Sequence, residues 1–305
     1  MPKSKLHNVR VALADGDVSL SRLTAGCWRL VKQSQGDLKA VHRFIDTALE
    51  LGMTTFDHAD IYGDFQAEPL FGRALKERPS LRGEMELVSK CSIAPPSSQR
   101  PDHRVAHIDS SASYVVAATE RSLAALGVEQ LDVLLLHRPD ALMDADDTAA
   151  ALVRLREQGK VRTFGVSNFS TSQFALLQSR LGFPLVTNQV ELSVLETTPM
   201  RDGTLDQLQE LRRSAMAWSP LGGGRLLSSE APRAVTAVLT RLAKQHDVEP
   251  SAIGIAWLLR LPTPVVPVLG TIDPVRLKQA ARAATITLDR QDWFELYGAA
   301  GNKYN

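Results

Sequence analysis

Apolar and polar positions along the chain repeat one handover: an amphipathic run, a glycine, then a short β-branched stretch. It recurs in LELGMTTFD, LAALGVEQLDVLLLH, LREQGKVRTFGVS and SRLGFPLVTNQ. Gly52, Gly127, Gly159 and Gly182 stand where a helix would end in a left-handed turn, which a residue without Cβ adopts cheaply. The helix ahead of Gly52 is the best marked. Asp37 serves as its N-cap, and Leu38, Val41, Ile45, Ala48 and Leu49 fall on one face. The stretches after the glycines are short and apolar, as in strands buried on both sides.

Eight strands are expected, beginning near Leu23, Thr54, Glu86, Leu131, Thr163, Val186, Met216 and Val265. Every gap between them can hold a helix, so the chain reads as repeated βα units with a parallel sheet. Eight units over 305 residues favour an α/β fold of the closed (β/α)8 TIM-barrel type over a doubly wound open sheet. The missing Gly-x-Gly-x-x-Gly after the first strand points the same way. Within residues 1–22, VRVALADGDVSLSRL predicts a β-hairpin with a glycine in its turn, closing the barrel floor. No composition shift divides the chain, so residues 1–305 are expected to form a single domain. Long loops are expected near 91–110, 195–204 and 220–233. All follow strand C-termini, the face where barrel enzymes build their sites.

Composition narrows the class. Lysine and arginine number 35 against 34 acidic residues, a net charge of +1. Nucleic-acid and membrane-surface roles rest on a basic excess that is missing here. Two cysteines, Cys27 and Cys91, suit a reducing compartment and make no disulfide framework. The N-terminus has no signal-peptide core and no apolar run reaches a membrane span, so a cytoplasmic location is expected.

Polar residues at strand C-termini stand out because the layers below them are hydrocarbon. Asp57 ends TTFD, Lys90 ends ELVSK and His137 ends LDVLLLH; Tyr62 follows one loop turn after Asp57. Each alone has an ordinary structural use: a turn or cap for Asp57, a snorkelling surface stem for Lys90, a loop-carbonyl partner for His137, a rim position for Tyr62. Together they suit protonation of a developing alkoxide. An Asp–Lys pair beside a tyrosine is expected to lower the phenol pKa, and a neutral His137 can hold the carbonyl oxygen. The chain has no hydride donor, so a cofactor must supply one. A metal is not expected: if Asp57 faces the barrel mouth, alternation turns His58 away from it, and Asp60 and His137 make no further ligand set. The same alternation makes Cys91 a core residue.

A nucleotide has a place after the eighth strand, where Asp273 and Pro274 start a helix behind Gly270 and Thr271. Arg276 in that helix's first turn is unfavourable beside the macrodipole unless an anion is held there by the helix N-terminus, Thr271 and Arg276 together. Trp218 at the end of the seventh strand offers a flat ring, with Leu221 and Gly222 beside it. Ser167, Asn168 and Gln189 present groups suited to a carboxamide.

These residues and the motifs FDHADIYG, LVSKC, LLLHRPD, GKVRTFGVSNF, TNQVELSV and AWSPLGGG, in order from about Leu23 to Gln279, resemble the aldo-keto reductase superfamily. The bacterial oxidoreductase branch with the HRPD motif is the most similar. The resemblance implies a barrel reductase of aldehydes or ketones, with Asp57, Tyr62, Lys90 and His137 as its catalytic tetrad and Tyr62 as general acid. It also implies cofactor contacts at Gly26, Cys27, Trp28, Asp57, Ser167, Asn168, Gln189, Trp218, Ser219, Leu221, Gly222, Arg225, Gly270, Thr271, Arg276 and Gln279. The stacking aromatic, usually tyrosine, falls on Trp218. Gly270 stands where many members carry a lysine for the adenosine 2′-phosphate; Arg276 still favours NADPH, with NADH as the other possibility. The chain ends soon after its last helix, so an open substrate pocket is expected. The partners implied are a small carbonyl substrate and, at most, further copies of the chain in a small homo-oligomer. Two rival readings remain: a Schiff-base aldolase built on Lys90, and a redox-sensing regulatory subunit of the kind seen in potassium-channel β subunits, which resemble this family.

Overall fold

The structure, a computed structural model, describes residues 10–14, 16 and 18–303. Eight parallel strands close into a barrel in chain order. They are β1 (Thr24–Gly26), β2 (Thr55–Asp57), β3 (Glu86–Cys91), β4 (Leu131–Leu136), β5 (Val161–Ser167), β6 (Leu185–Glu191), β7 (Ser214–Trp218) and β8 (Val265–Leu269). The seam is made by Val268 opposite Thr24 and Leu269 opposite Ala25. A Cβ on Gly26 would come within 2.6 Å of the Leu269 carbonyl oxygen, so glycine is what lets β1 and β8 meet there.

The helices form where the periodicity places them. In α1 (Leu38–Glu50), Asp37 caps the Lys39 amide, and Val41, Phe44, Ile45 and Ala48 are buried against the barrel. Gly52, Gly127 and Gly159 all have positive φ, and Gly127 is itself the left-handed cap of α2 (Ala112–Leu126). Gly182 departs from the expectation. The preceding helix, α3 (Thr171–Gln178), ends earlier at Ser179 in a right-handed conformation, so no left-handed turn is needed at Gly182.

Below the barrel, Arg10–Ala12 pairs antiparallel with Ser19–Ser21. Its side chains Val11, Leu13, Val18 and Leu20 join Val88, Val133, Leu135, Val186, Met216 and Val266 in one apolar cluster inside the strands. The hairpin therefore closes the floor with hydrocarbon. Residues 1–9 of the expected hairpin segment, and Asp15 and Asp17 at its turn, lie outside the described residues. With the floor shut, the mouth at the strand C-termini is the opening. Above β3, Ile93–Ala94 pairs with His107–Ile108, so this long loop carries a small sheet of its own. After β7 the chain makes a tight helical turn at Gly222–Leu227, with Gly223 and Gly224 left-handed.

Candidate active site

The barrel register brings the four strand-end residues to one point. Lys90 is fully buried, and its Nζ donates to Asp57 Oδ2 at 2.7 Å, to the His58 carbonyl oxygen at 2.8 Å and to the Tyr62 hydroxyl oxygen at 3.1 Å. Those bonds use all three ammonium protons. Asp57 Oδ1 accepts from Gln189 Nε2 at 2.9 Å, so the carboxylate is held from both sides of the barrel. The His137 ring stands edge-on to Tyr62, with centroids 5.9 Å apart. Its backbone N–H donates to the Cys91 carbonyl at 2.7 Å, and its buried Nδ1 has no protein partner among the described residues.

Burial and the Lys90 charge set the protonation states. Burial opposes the ammonium of Lys90, but Asp57 and Tyr62 outweigh it and raise its pKa. Tyr62 corrects the expectation of a lowered phenol pKa. Burial raises it, and the counteracting Lys90 charge is smaller, so the phenol stays protonated at neutral pH. His137 is pushed well below the ordinary imidazole value by burial and then by Lys90 and Arg138, and is neutral. His58 points away from the mouth, edge-on to Phe71, with Nε2 3.4 Å from Cys27 Sγ; burial and Lys90 lower its pKa to about 3. Burial also raises the thiols of Cys27 and Cys91, which keeps both inert.

Tyr62, His137 and the edge of Asp57 face a trough of about 710 Å³ that runs over the barrel mouth to Arg276 and Gln279. A model of the Aldo/keto reductase family matches residues 22–299. The chain belongs to the aldo/keto reductase family. It is 46% identical over 294 residues to a 6-dehydroglucose reductase of Agrobacterium fabrum, covering 96% of this chain and 98% of that one. It is 44% identical over 292 residues to the oxidoreductase YdhF of Escherichia coli, covering 95% and 97%. An aldo/keto reductase from Klebsiella pneumoniae, solved with NADP and acetate, superposes with a TM-score of 0.78 at 24% identity, over 97% of this chain and 96% of that one. As a member of the aldo/keto reductases, the protein is an NAD(P)H-dependent oxidoreductase.

The donor set fits such a cofactor. At one end of the trough the three amide- and hydroxyl-bearing residues are linked. Trp218 Nε1 donates to Asn168 Oδ1 at 2.9 Å, Asn168 Nδ2 donates to Ser167 Oγ at 2.7 Å, and Ser167 Oγ donates to the Gln189 carbonyl at 2.8 Å. Asn168 holds this position with φ of 61°, a left-handed conformation that asparagine tolerates. At the other end lie Thr271, Arg276 and Gln279. A carboxamide at one end and phosphates toward the other would meet complementary groups.

Most residues expected at the cofactor line this trough: Gly26, Trp28, Asp57, Ser167, Asn168, Gln189, Trp218, Ser219, Leu221, Gly270, Thr271, Arg276 and Gln279. Three do not. Cys27 is turned into the core by strand alternation, Gly222 is buried under Leu195, and Arg225 folds back so that its Nε donates to the Gly222 carbonyl. Gly223 and Gly224 line the trough in their place. The helix start at Asp273 is also altered from the expectation. In α4 (Pro274–Ala281) the Val275 and Arg276 amides are already taken by the Asp273 side chain, leaving the side chains of Thr271 and Arg276 to meet an anion. Arg29, Gln33, Arg138 and Ser251 line the trough without having been singled out. Arg29 donates to the Gly270 carbonyl at 3.1 Å, and a Cβ at Gly270 would come within 2.5 Å of its Nη1. The guanidinium thus fills the space above Gly270.

Proposed function

We propose that this protein reduces an aldehyde or ketone to the alcohol with NADPH, and that Tyr62 is the general acid. The observation that carries this is the direction of one hydrogen bond. Lys90 donates to the Tyr62 oxygen, so the phenolic proton is left to point elsewhere, and Tyr62 lines the trough. When bound, the nicotinamide supplies the hydride that reaches the carbonyl carbon. Tyr62 gives its proton to the carbonyl oxygen, and the phenolate left behind is stabilised by the ammonium already in contact with it. Asp57 keeps that ammonium charged, and Gln189 keeps Asp57 in place. Neutral His137 donates to the carbonyl oxygen and aims it at Tyr62. Arg276 and Thr271 favour NADPH through its 2′-phosphate, with Arg29 close to the same loop. The Agrobacterium relative is named for reduction of a sugar aldehyde, so hydroxylated aldehydes head the list of candidate substrates. A Schiff base on Lys90 would need a free amine, whereas this lysine is held charged and has no spare proton.

Tyr62→Phe tests the assignment. Turnover of DL-glyceraldehyde with NADPH should fall by roughly 10²-fold or more, the scale of positioned acid catalysis. The NADPH dissociation constant from fluorescence titration should stay within about threefold, since the ring remains. Turnover near the wild-type value would remove Tyr62 as the acid.

A further inference from the structure

The trough has a second feature that hydride transfer does not use. Asp57 is the only carboxylate lining it among the described residues, and Lys90 already neutralises Asp57. Three arginines line the same space. Arg29 and Arg276 belong to the β8–β1 side, where the cofactor's phosphates would lie. Arg138 follows β4, halfway round the barrel from β8, directly after His137.

The backbone of Arg138 is fixed while its head is not. Its N–H donates to Ser92 Oγ and its carbonyl accepts from the same hydroxyl, both at 3.3 Å, and Pro139 follows. Asn168 Nδ2 donates to the preceding His137 carbonyl at 3.3 Å. The side chain is exposed and reaches over the mouth, its guanidinium carbon 5.7 Å from the centre of the Trp218 ring. Among the described residues, no carboxylate comes within ion-pair distance of the guanidinium. The Glu191 carboxyl feels the charges of Arg138 and Arg225 without contacting Arg138. A five-donor fork beside the carbonyl-orienting histidine, with no acceptor among the described residues, is matched to oxygen atoms brought by a ligand.

We infer that Arg138 is a specificity-determining residue that binds oxygen acceptors elsewhere on the carbonyl substrate, so that the enzyme prefers carbonyl compounds bearing hydroxyl or carboxylate groups. The inference rests on the reductase reading above for the reacting end of the molecule and adds the recognition of its other end.

Matched substrate pairs test it in wild type and Arg138→Met, which keeps an apolar stem over Trp218. The pairs are D-glyceraldehyde with propanal, and succinic semialdehyde with butanal. Wild type should favour the oxygenated member of at least one pair. Arg138→Met should erase about tenfold to a hundredfold of that preference in kcat/KM, mainly through KM, the range for one hydrogen bond to a charged group. Loss confined to the glyceraldehyde pair assigns a polyhydroxy substrate, and loss confined to the semialdehyde pair assigns an anionic one. Equal losses within both pairs would make Arg138 a support for His137 and Trp218, and unchanged preference would remove it from substrate binding; either overturns the inference. Tryptophan fluorescence titrations with succinate and sorbitol separate this from the reductase reading. If wild type turned over no carbonyl, the reductase reading would fall. Arg138-dependent saturation by either probe would still uphold the oxygen-binding site, and saturation by neither would overturn it.

Discussion

Lys90→Met removes a buried ammonium and leaves its partners in place, which makes the cost calculable. Lys90 has no exposure and Asp57 is 2% exposed, so neither partner is rescued by water. After the substitution Asp57 keeps one donor, Gln189 Nε2, while the His58 carbonyl and the Tyr62 oxygen each lose theirs. Breaking one side of a buried ion pair costs about 3–5 kcal/mol, most of it from the charge left without a partner. At ~2.1 cal/mol/K per residue, 1 kcal/mol moves the melting midpoint of a chain this long by about 1.6 °C. The midpoint at pH 7 should therefore fall by roughly 5–8 °C by differential scanning calorimetry. The double variant Lys90→Met with Asp57→Asn should recover a large part of this, because the stranded charge is gone. A fall below about 2 °C for the single variant, or a double variant that loses the sum of both singles, would refute a coupled buried pair.

Two further outcomes follow from the same surroundings. Asp60 is buried with Oδ1 unpartnered, and burial followed by the neighbouring Glu68 raises its pKa from 3.8 to about 8. A carboxyl whose folded pKa is raised binds its proton more tightly in the fold, so its contribution is complete below about pH 4 and is lost as pH rises through 8. Melting midpoints of Asp60→Asn across pH 5, 7 and 9 should decline less than those of wild type; parallel declines would argue against a protonated Asp60. Trp218→Phe keeps a stacking ring and removes the N–H bonded to Asn168. It should weaken NADPH binding by about threefold to tenfold, the worth of one neutral hydrogen bond, whereas an unchanged dissociation constant would separate Asn168 from cofactor binding.

Much of the barrel is legible in local pattern because each βα unit announces itself. Asp37 caps, Val41 and Ile45 face inward, and Gly52 turns the chain into a strand. The cluster of strand-end polar residues is legible for a related reason: a polar residue ending an apolar strand has no use in the packed layers below. What is not legible is how loops fold back. Gly222 and Arg225 read as cofactor contacts beside the Trp218 ring, yet the tight turn buries Gly222 and points Arg225 at its own backbone. Arg29 over Gly270 joins residues 241 positions apart, and nothing near either one in sequence signals the pairing. Arg138 was within reach, since it sits between His137 and Pro139 at a strand end; an exposed arginine has no periodicity to betray it. The phenol of Tyr62 failed for a different reason. Proximity to a lysine is readable from strand order, but the depth of burial that overrides the lysine is a property of the assembled barrel.

The polar contacts at the mouth form one chain rather than separate pairs. Trp218 holds Asn168, Asn168 holds Ser167, and Ser167 bonds to the backbone of Gln189, whose side chain holds Asp57; Asp57 holds Lys90, and Lys90 touches Tyr62. The groups suited to a carboxamide and the group suited to donate a proton are thus joined through the two ends of a single residue, Gln189. Its backbone carbonyl serves the first set and its amide nitrogen serves the second. With Nε2 committed to Asp57 and to the Met216 sulfur, Gln189 has only its Oε1 to offer a ligand, so it is an acceptor; the Ser167 hydroxyl proton and both Asn168 amide protons are already engaged, on the Gln189, Ser167 and His137 oxygens. The NH2 of a carboxamide would match that acceptor. The Gln189–Asp57 bond ties the acceptor to the carboxylate that keeps Lys90 charged. The position of that acceptor and the setting of the Asp57–Lys90–Tyr62 contacts therefore depend on one side-chain rotamer on β6.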